Sequence, residues 1–141
     1  MKFLDANIFI YAYYKPRRQL TQKEKQMKDE AKEVINGINQ GKEEVATTVV
    51  QISEAVNILK HGIPSENLTS IIIGLFMLDN VKVEGVSREM YFAATELGRD
   101  LKLDPNNALA VEAMRLKGIR EIYSFDEDFD KIEGVERIPK L

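Results

Sequence analysis

The sequence predicts an α/β fold, in which a central, mostly parallel sheet is flanked by helices on both faces. Short apolar segments alternate along the chain with segments whose apolar residues recur at helical spacing. A helix between two consecutive strands forms a right-handed crossover, which makes those strands parallel. The 141 residues suffice for one domain with a real core and are too few for two, so we expect a single domain over residues 1–141.

The first strand and the first two helices follow from apolar pattern and from residues that stop a helix. Residues 2–5 form a short apolar segment, which is typical of a buried strand. Residues 7–14 are predicted to form one or two helical turns that end before Pro16, because proline disfavours a helical conformation in the preceding residue. Residues 21–39 carry apolar side chains at helical spacing, and Gly41 ends that helix.

The middle of the chain repeats this alternation. Residues 44–47 are predicted to form the second strand, after which Thr48 opens a helix that ends at Gly62. Residues 64–78 form the next helix, which begins with a proline and a serine. Residues 81–83 alternate apolar and polar side chains, as a half-buried strand does.

The C-terminal part is predicted to contain two more helices and two more strands. Ser87 is expected to cap the first helix, and Asn106 to cap a second one that ends near Lys117, where Gly118 follows. The remaining segments are predicted as strand, short turn and strand, at residues 119–124, 126–129 and 135–138.

Composition excludes several kinds of chemistry. The chain has no cysteine, so disulfides, zinc–thiolate sites and thiol nucleophiles are absent. Its single histidine, His61, excludes multi-histidine metal sites and makes histidine acid–base catalysis a poor explanation. A metal ion in this protein would therefore be a hard one that oxygen atoms hold.

No targeting signal is visible, and we expect a cytoplasmic protein with no membrane partner. The N-terminus lacks the basic region and cleavage site of a secretory signal. The longest apolar stretch, Leu68 to Leu78, is far shorter than a membrane span.

The charged residues are unevenly distributed, although the formal net charge is only −3. A basic segment from Lys15 to Lys32 includes Arg17 and Arg18, whereas the segment from Asp126 to Glu136 is acidic. A basic segment beside an acidic pocket suits a phosphodiester ligand, and Lys15, Arg17 and Arg18 are the candidate RNA contacts. A solvated helix face explains the same charges equally well.

Acidic side chains are predicted to meet at one edge of the sheet. Asp5 and Asp126 each follow a strand, and Glu54 and Asn107 are predicted to lie in the first turns of helices that pack near the same edge. Ligands bind beyond the carboxyl ends of parallel strands. Carboxylates brought together repel each other unless a cation lies between them, and magnesium or manganese accepts such a site and acts on phosphate. Taken singly, each acid is better explained as a helix cap or an exposed residue.

Four segments together resemble the four motifs of the PIN-domain nucleases. They are Phe3–Ala12 (FLDANIFIYA), Ile52–Leu59 (ISEAVNIL), Pro105–Val111 (PNNALAV) and Ile122–Asp130 (IYSFDEDFD). The resemblance extends along the whole chain, and the order and spacing of the motifs agree with it.

The resemblance implies a PIN-like sheet flanked by helices and a metal-dependent endoribonuclease that uses Mg²⁺ or Mn²⁺. Many small members of this family are VapC toxins of toxin–antitoxin pairs. By resemblance, RNA is the substrate, and a homodimer and an antitoxin are the expected protein partners. The metal-binding acids of the family correspond to Asp5, Glu54 and Asp126, and the polar supports to Asn7 with Thr48 or Ser124.

The third motif departs from the family pattern, because the aspartate usual before Ala-Leu is Asn107 in this chain. An amide carries no charge, so the affinity for a cation should fall. Three explanations remain open: natural weakening, replacement of the missing acid by Asp104, and a substitution introduced to inactivate the protein. The alternative function is a catalytically silent module that binds RNA or an antitoxin.

Two apolar features have two interpretations each. The segment Leu68 to Leu78 is apolar around most of a helix, which fits either deep burial or a surface for a dimer partner or antitoxin. Tyr11, Tyr13 and Tyr14 could stack on nucleic-acid bases, and core packing explains at least some of them equally well.

Overall fold

A five-stranded parallel sheet forms the centre of the protein, in a computed structural model that describes residues 1–141. Its strands are β1 Lys2–Leu4, β2 Val45–Thr48, β3 Val81–Glu84, β4 Glu121–Tyr123 and β5 Glu136–Ile138. They lie in the order β3-β2-β1-β4-β5, and every neighbouring pair is parallel. The predicted α/β fold is confirmed, and the sheet is parallel throughout.

Six α-helices connect or follow the strands, each within a few residues of its predicted position. They are α1 Ala6–Tyr13, α2 Gln22–Asn39, α3 Val49–Leu59, α4 Ser65–Met77, α5 Arg88–Leu101 and α6 Pro105–Lys117. The predicted turn before the last strand is the 3-10 helix Glu127–Lys131. None of the helices combines the length and apolar character that crossing a membrane requires.

Local side-chain chemistry explains where several helices begin. Thr21 and Glu24 form a reciprocal capping box at the start of α2, and the Thr48 hydroxyl accepts from backbone N–H groups at the start of α3. The prediction that Asn106 caps α6 is wrong. Asp104 is the cap, because Pro105 occupies the first helical position, where its missing N–H costs nothing.

The sheet separates two hydrophobic cores. Successive side chains of a strand point to opposite faces, so Phe3 and Leu4 of β1 enter different cores. The Leu4 core contains side chains from helices α1 to α4, whereas the Phe3 core is built mainly with α6 and the segment after β4. This arrangement is the two-layer covering that an all-parallel sheet requires.

The order of the strands places a crevice beside β1. The chain builds the sheet from β1 through β2 to β3 on one side, and then returns to add β4 and β5 on the other. Leu4 pairs with Tyr123, so the carboxyl ends of β1 and β4 lie side by side at this switch point. Ligands of open parallel sheets bind at such a point.

Helices α5 and α6 approach each other closely at Gly98. A Cβ atom built at Gly98 would lie 2.8 Å from the Leu103 carbonyl oxygen and 3.0 Å from the Ala108 Cβ. Because the first of these neighbours is backbone, it cannot move aside as a flexible side chain could. The absence of a side chain at Gly98 therefore allows the start of α6 to lie directly against α5.

We predict that Gly98→Ala lowers the free energy of unfolding by about 1–2 kcal/mol, because overpacking outweighs the better helix propensity of alanine. The matched control is Gly74→Ala in α4, where a new Cβ meets nothing within 4 Å. That variant should be more stable by about 0.5–1 kcal/mol. Chemical denaturation measures both, and equal stabilisation by both changes would contradict the close α5–α6 contact.

Candidate active site

Asp5 lies at the junction of β1 and α1 with only 4% of its surface exposed. One carboxylate oxygen accepts from the Ala6 backbone N–H at 2.8 Å, and the other accepts from the Ser124 hydroxyl at 2.7 Å. Burial raises the pKa of the Asp5 carboxyl to about 7, and the nearby charges of Glu54 and Asp126 add to that rise, whereas the two hydrogen bonds oppose it. Asp5 thus shares one charged environment with both other candidate acids.

Ser124 and Asn7 join the end of β4 to the start of α1. The Ser124 hydroxyl oxygen accepts from the Asp126 backbone N–H at 3.0 Å while its proton points to Asp5. The Asn7 side-chain oxygen accepts from the Phe125 backbone N–H at 3.2 Å. Both side chains therefore hold the segment that carries Asp126 against Asp5.

Asn107 contacts Asp126 directly. Its side-chain N–H group donates to one Asp126 carboxylate oxygen at 2.9 Å, and the other oxygen accepts from the Asp128 backbone N–H at 2.9 Å. Asn107 is buried, with 8% of its surface exposed. A neutral amide therefore stabilises the Asp126 charge at the position where a second carboxylate would repel it.

Glu54 is held by residues that the sequence interpretation did not include. It lies in the second turn of α3, so the prediction that it lies in the first turn is wrong. Its carboxylate accepts from the Asn106 side-chain N–H at 2.8 Å, and the Asn106 side-chain oxygen accepts from the Tyr91 hydroxyl at 2.6 Å. Gln51 donates to the Asn106 carbonyl at 3.1 Å. The only signal in the sequence was the doubled asparagine of the third motif.

Two consecutive amides at the start of α6 therefore hold two different acids: Asn106 binds Glu54, and Asn107 binds Asp126. The positive end of the α6 dipole favours carboxylates at this place. No group of three or more acidic or histidine side chains lies close enough together to hold a metal ion. The chemistry of the set still fits a hard divalent cation, since Asp5 and its neighbours present carboxylate, hydroxyl and amide oxygens.

Two predicted supports serve as helix caps. Thr48 accepts from the Val50 backbone N–H at 3.1 Å and donates to the Gln51 side-chain oxygen, and it makes no hydrogen bond to a candidate acid. Asp104 accepts from the Asn107 backbone N–H at 2.9 Å and is exposed. Its capping role gives no support to the idea that Asp104 replaces the missing acid.

The predicted RNA contacts lie at the end of α1, near the end of α3. They share one surface groove, which is lined by Lys15, Arg17, Arg18, Lys60 and His61. Arg18 also forms two hydrogen bonds with the Glu24 carboxylate, at 2.8 and 2.5 Å. This pairing raises the pKa of the Arg18 guanidinium, so Arg18 keeps its positive charge while it is held in one orientation.

The raised pKa of Asp5 predicts a pH-dependent stability. The pKa of Asp5 is about 7 in the folded protein, against an ordinary value of 3.8. Between these two pH values the Asp5 carboxyl is protonated in the folded protein, whereas it has lost its proton in the unfolded chain. The contribution of Asp5 to stability should therefore fall as pH rises from 4 to 7. In metal-free buffer at pH 8, Asp5→Asn should be more stable by up to about 4 kcal/mol, a gain that disappears near pH 4.

Thermal unfolding of both proteins across this pH range measures the effect. The control is Asp100→Asn on the exposed surface of α5, which should leave the pH profile of the wild type unchanged. Parallel profiles for the wild type and Asp5→Asn would contradict a buried, ionising Asp5.

Comparison with known proteins agrees with this architecture. Among solved structures, Mycobacterium tuberculosis VapC20, a sarcin–ricin loop cleaving toxin, is 21% identical with a TM-score of 0.69, over 92% of this chain and 93% of that one. A toxin–antitoxin complex from Klebsiella pneumoniae is 17% identical with a TM-score of 0.65, over 96% of both chains. VapBC2 from Rickettsia felis, bound to a DNA fragment from its promoter, is 14% identical with a TM-score of 0.63, also over 96% of both.

At these identities the solved structures show a shared fold. A search of curated proteins found no match. The family model of the PIN domain matches residues 2–135, which is nearly the whole chain. The chain therefore belongs to the PIN domain family.

Proposed function

We propose that this protein is a cytoplasmic, metal-dependent endoribonuclease of the VapC type. The observation that carries the proposal is the buried Asp5 carboxylate at the β1–β4 crevice, whose pKa is raised by burial and by the charges of Glu54 and Asp126. A protein gains no stability from such a group, and perturbed acids in a crevice are typical of functional sites. Membership of the PIN family supports nuclease chemistry at this position.

Asp5, Glu54 and Asp126 would hold the ion in this proposal. A bound Mg²⁺ or Mn²⁺ supplies a Lewis acid for a phosphate oxygen and lowers the pKa of a water nucleophile. Ser124 and Asn7 keep the β4 exit against Asp5, so that two carboxylates remain together despite their repulsion. Because protons and cations compete for Asp5, the site should bind a cation better above pH 7 than below it.

Asn107 would weaken this site without dismantling it. It removes one negative charge, and its N–H group occupies an oxygen of Asp126 that could otherwise face a cation. Its side-chain oxygen remains available as a neutral ligand. Lower cation affinity with retained architecture is the expected result.

Toxin–antitoxin neighbours support an antitoxin partner for this chain as well. Helix α4 supplies an apolar surface for a homodimer or for that partner, because Ile73, Phe76 and Met77 are each more than half exposed. Deep burial, the other interpretation of this segment, holds only for the inner side of the helix. There the Leu68 and Leu75 side chains belong to the core.

A catalytically silent RNA-binding or antitoxin-binding module is the second candidate function. The specific observation in its favour is that the Asn106 and Asn107 amides donate hydrogen bonds to Glu54 and Asp126. The protein itself therefore supplies hydrogen-bond donors to both of these carboxylates. The two functions differ in whether a divalent cation changes the behaviour of the chain.

We predict that Asn107→Asp raises manganese-dependent cleavage of single-stranded RNA by about 10- to 100-fold, because it returns the missing charge. Without a cation the variant should unfold at a lower temperature than the wild type, since a carboxylate replaces the amide that donates to Asp126. Manganese should then raise its Tm more than it raises that of the wild type. Initial cleavage rates and thermal unfolding at several manganese concentrations measure both effects.

The control for charge is Asn36→Asp on the exposed surface of α2, which adds the same charge away from the crevice. It should leave the cleavage rate and the manganese response unchanged. Equal rates for the wild type and Asn107→Asp would refute a site limited by the missing acid.

Asp5→Asn should abolish cleavage in the wild type and in the Asn107→Asp background. Because the same substitution is expected to stabilise the fold at pH 8, loss of activity cannot then be ascribed to unfolding. Undiminished cleavage by a folded Asp5→Asn protein would show that the nuclease site lies elsewhere.

A further inference from the structure

A pocket with aromatic and aliphatic walls lies between the end of α1, the start of α2 and the end of α3. Its volume is about 320 Å³, at the lower end of the range for small-ligand sites. Tyr11, Tyr14 and Ile58 form part of its walls, and Tyr14 and Ile58 expose 41% and 42% of their surfaces. Exposed apolar side chains that face one cavity indicate a place where an apolar group of a ligand binds.

Two contacts fix the geometry of this pocket. The Tyr11 ring packs edge-on against Phe125, with 5.3 Å between ring centroids. The Lys28 ammonium donates to the backbone carbonyls of Tyr11 at 3.1 Å and Tyr14 at 2.6 Å, which holds the end of α1 and the residue after it. The Tyr11 ring and the backbone at Tyr11 and Tyr14 are therefore held in place by other residues of the protein.

The pocket adjoins the candidate acids along two helices. Ile58 follows Glu54 by four residues on α3, and Tyr11 follows Asn7 by four residues on α1. Residues four apart on a helix are neighbours on one face, at about 5–6 Å between Cβ atoms. A ligand at the acids is thus one helical turn from the pocket on both sides. Ile58 also lines the cleft that contains Glu54, which makes the two surfaces continuous.

On its other side the pocket opens into the basic groove. Tyr14 and Arg18 line both cavities, and Lys15, Lys60 and His61 extend the groove beyond them. An acidic crevice, an aromatic pocket and a basic groove follow one another along a single path. With a cation at the acids, this sequence of surfaces would match a nucleic acid strand, in which phosphates and flat bases alternate.

We propose that this pocket binds one nucleobase of a single-stranded RNA, next to a phosphate that the cation of the proposed function would bind at Asp5, Glu54 and Asp126, while the basic groove binds the backbone beyond it. The inference rests on the proposed function and adds a base-binding pocket to its site. A base can enter the pocket only when it is unstacked, which excludes the bases of a regular duplex. The Arg18 guanidinium, which Glu24 orients at the pocket, still has N–H donors for an edge of the base.

The test is the affinity of a short fluorescein-labelled RNA, measured by anisotropy in the Asp5→Asn background so that cleavage does not interfere. Tyr14→Ala should weaken binding of the single strand by about 5- to 100-fold, whereas Tyr14→Phe keeps the stacking ring and should bind as the parent does. The matched control is Phe92→Ala on α5, an aromatic side chain with 63% exposure outside the pocket. It should leave RNA affinity unchanged.

A second probe replaces one nucleotide at a time by an abasic residue. At one position the loss of the base should weaken binding to the parent by the same factor as Tyr14→Ala, and should cause no further loss in Tyr14→Ala itself. Equal affinity of Tyr14→Ala and Phe92→Ala, or additive losses at every abasic position, would overturn the proposal and leave a protein segment as the occupant of the pocket.

Binding and cleavage separate this inference from the proposed function. Weaker RNA binding by Tyr14→Ala in a protein that never cleaves RNA would support the pocket and reject the nuclease. Manganese-dependent cleavage with normal RNA affinity in Tyr14→Ala would support the nuclease and reject the pocket. Tyr14 is exposed and follows the last residue of α1, so its replacement should leave the thermal stability almost unchanged.

Discussion

The burial of one carboxylate, that of Asp5, is the constraint on which the crevice depends. A buried charge is costly unless hydrogen bonds or opposite charges satisfy it. The Ala6 N–H group supplies one bond from the helix that follows β1, and the Ser124 hydroxyl supplies the other from the exit of β4. The need to satisfy one side chain therefore ties together the two strands that flank the switch point of the sheet.

The other residues of the crevice keep the acidic side chains near one another, although no basic side chain balances their charge. Helix α6 contributes its positive end and two amides, and Gly98 allows that end to lie against α5. Each amide stabilises one acid, which lowers the cost of assembling the crevice in the absence of a cation. The same amides hold Glu54 and Asp126 in place, so the hydrogen bonds that favour the fold would compete with the ion of the proposed function. A trade-off of this kind between stability and activity is common at functional sites.

Much of the fold could be predicted because its signals are local. Helical periodicity and capping residues such as Thr21 and Ser87 placed the helices within a few residues, and alternating strands and helices implied the parallel sheet. The cap of α6 was misassigned because both Asp104 and Asn106 are good capping residues, and only the position of Pro105 decides between them.

The candidate site was predictable only in part. The positions of Asp5 and Asp126 follow from strand ends, and the crevice brings them together with Ser124 and Asn7. The bond from Asn106 to Glu54, and the support that Tyr91 gives to Asn106, depend on how α3, α5 and α6 pack, which no local pattern encodes. Side-chain partners across helices are set by tertiary packing, and a single sequence does not reveal them.

The bond between Ser124 and Asp5 spans 119 positions of the chain, and this separation has a consequence for synthesis. Domains generally fold as units, and the sheet of this domain includes the late strands β4 and β5. The strand β4 and the Asp126 segment are made only near the end of synthesis. A nascent chain on the ribosome therefore carries Asp5 without its partners, and the crevice is assembled only when translation is almost complete. For the nuclease proposed above, this order of assembly would prevent the incomplete chain from cleaving the message that encodes it.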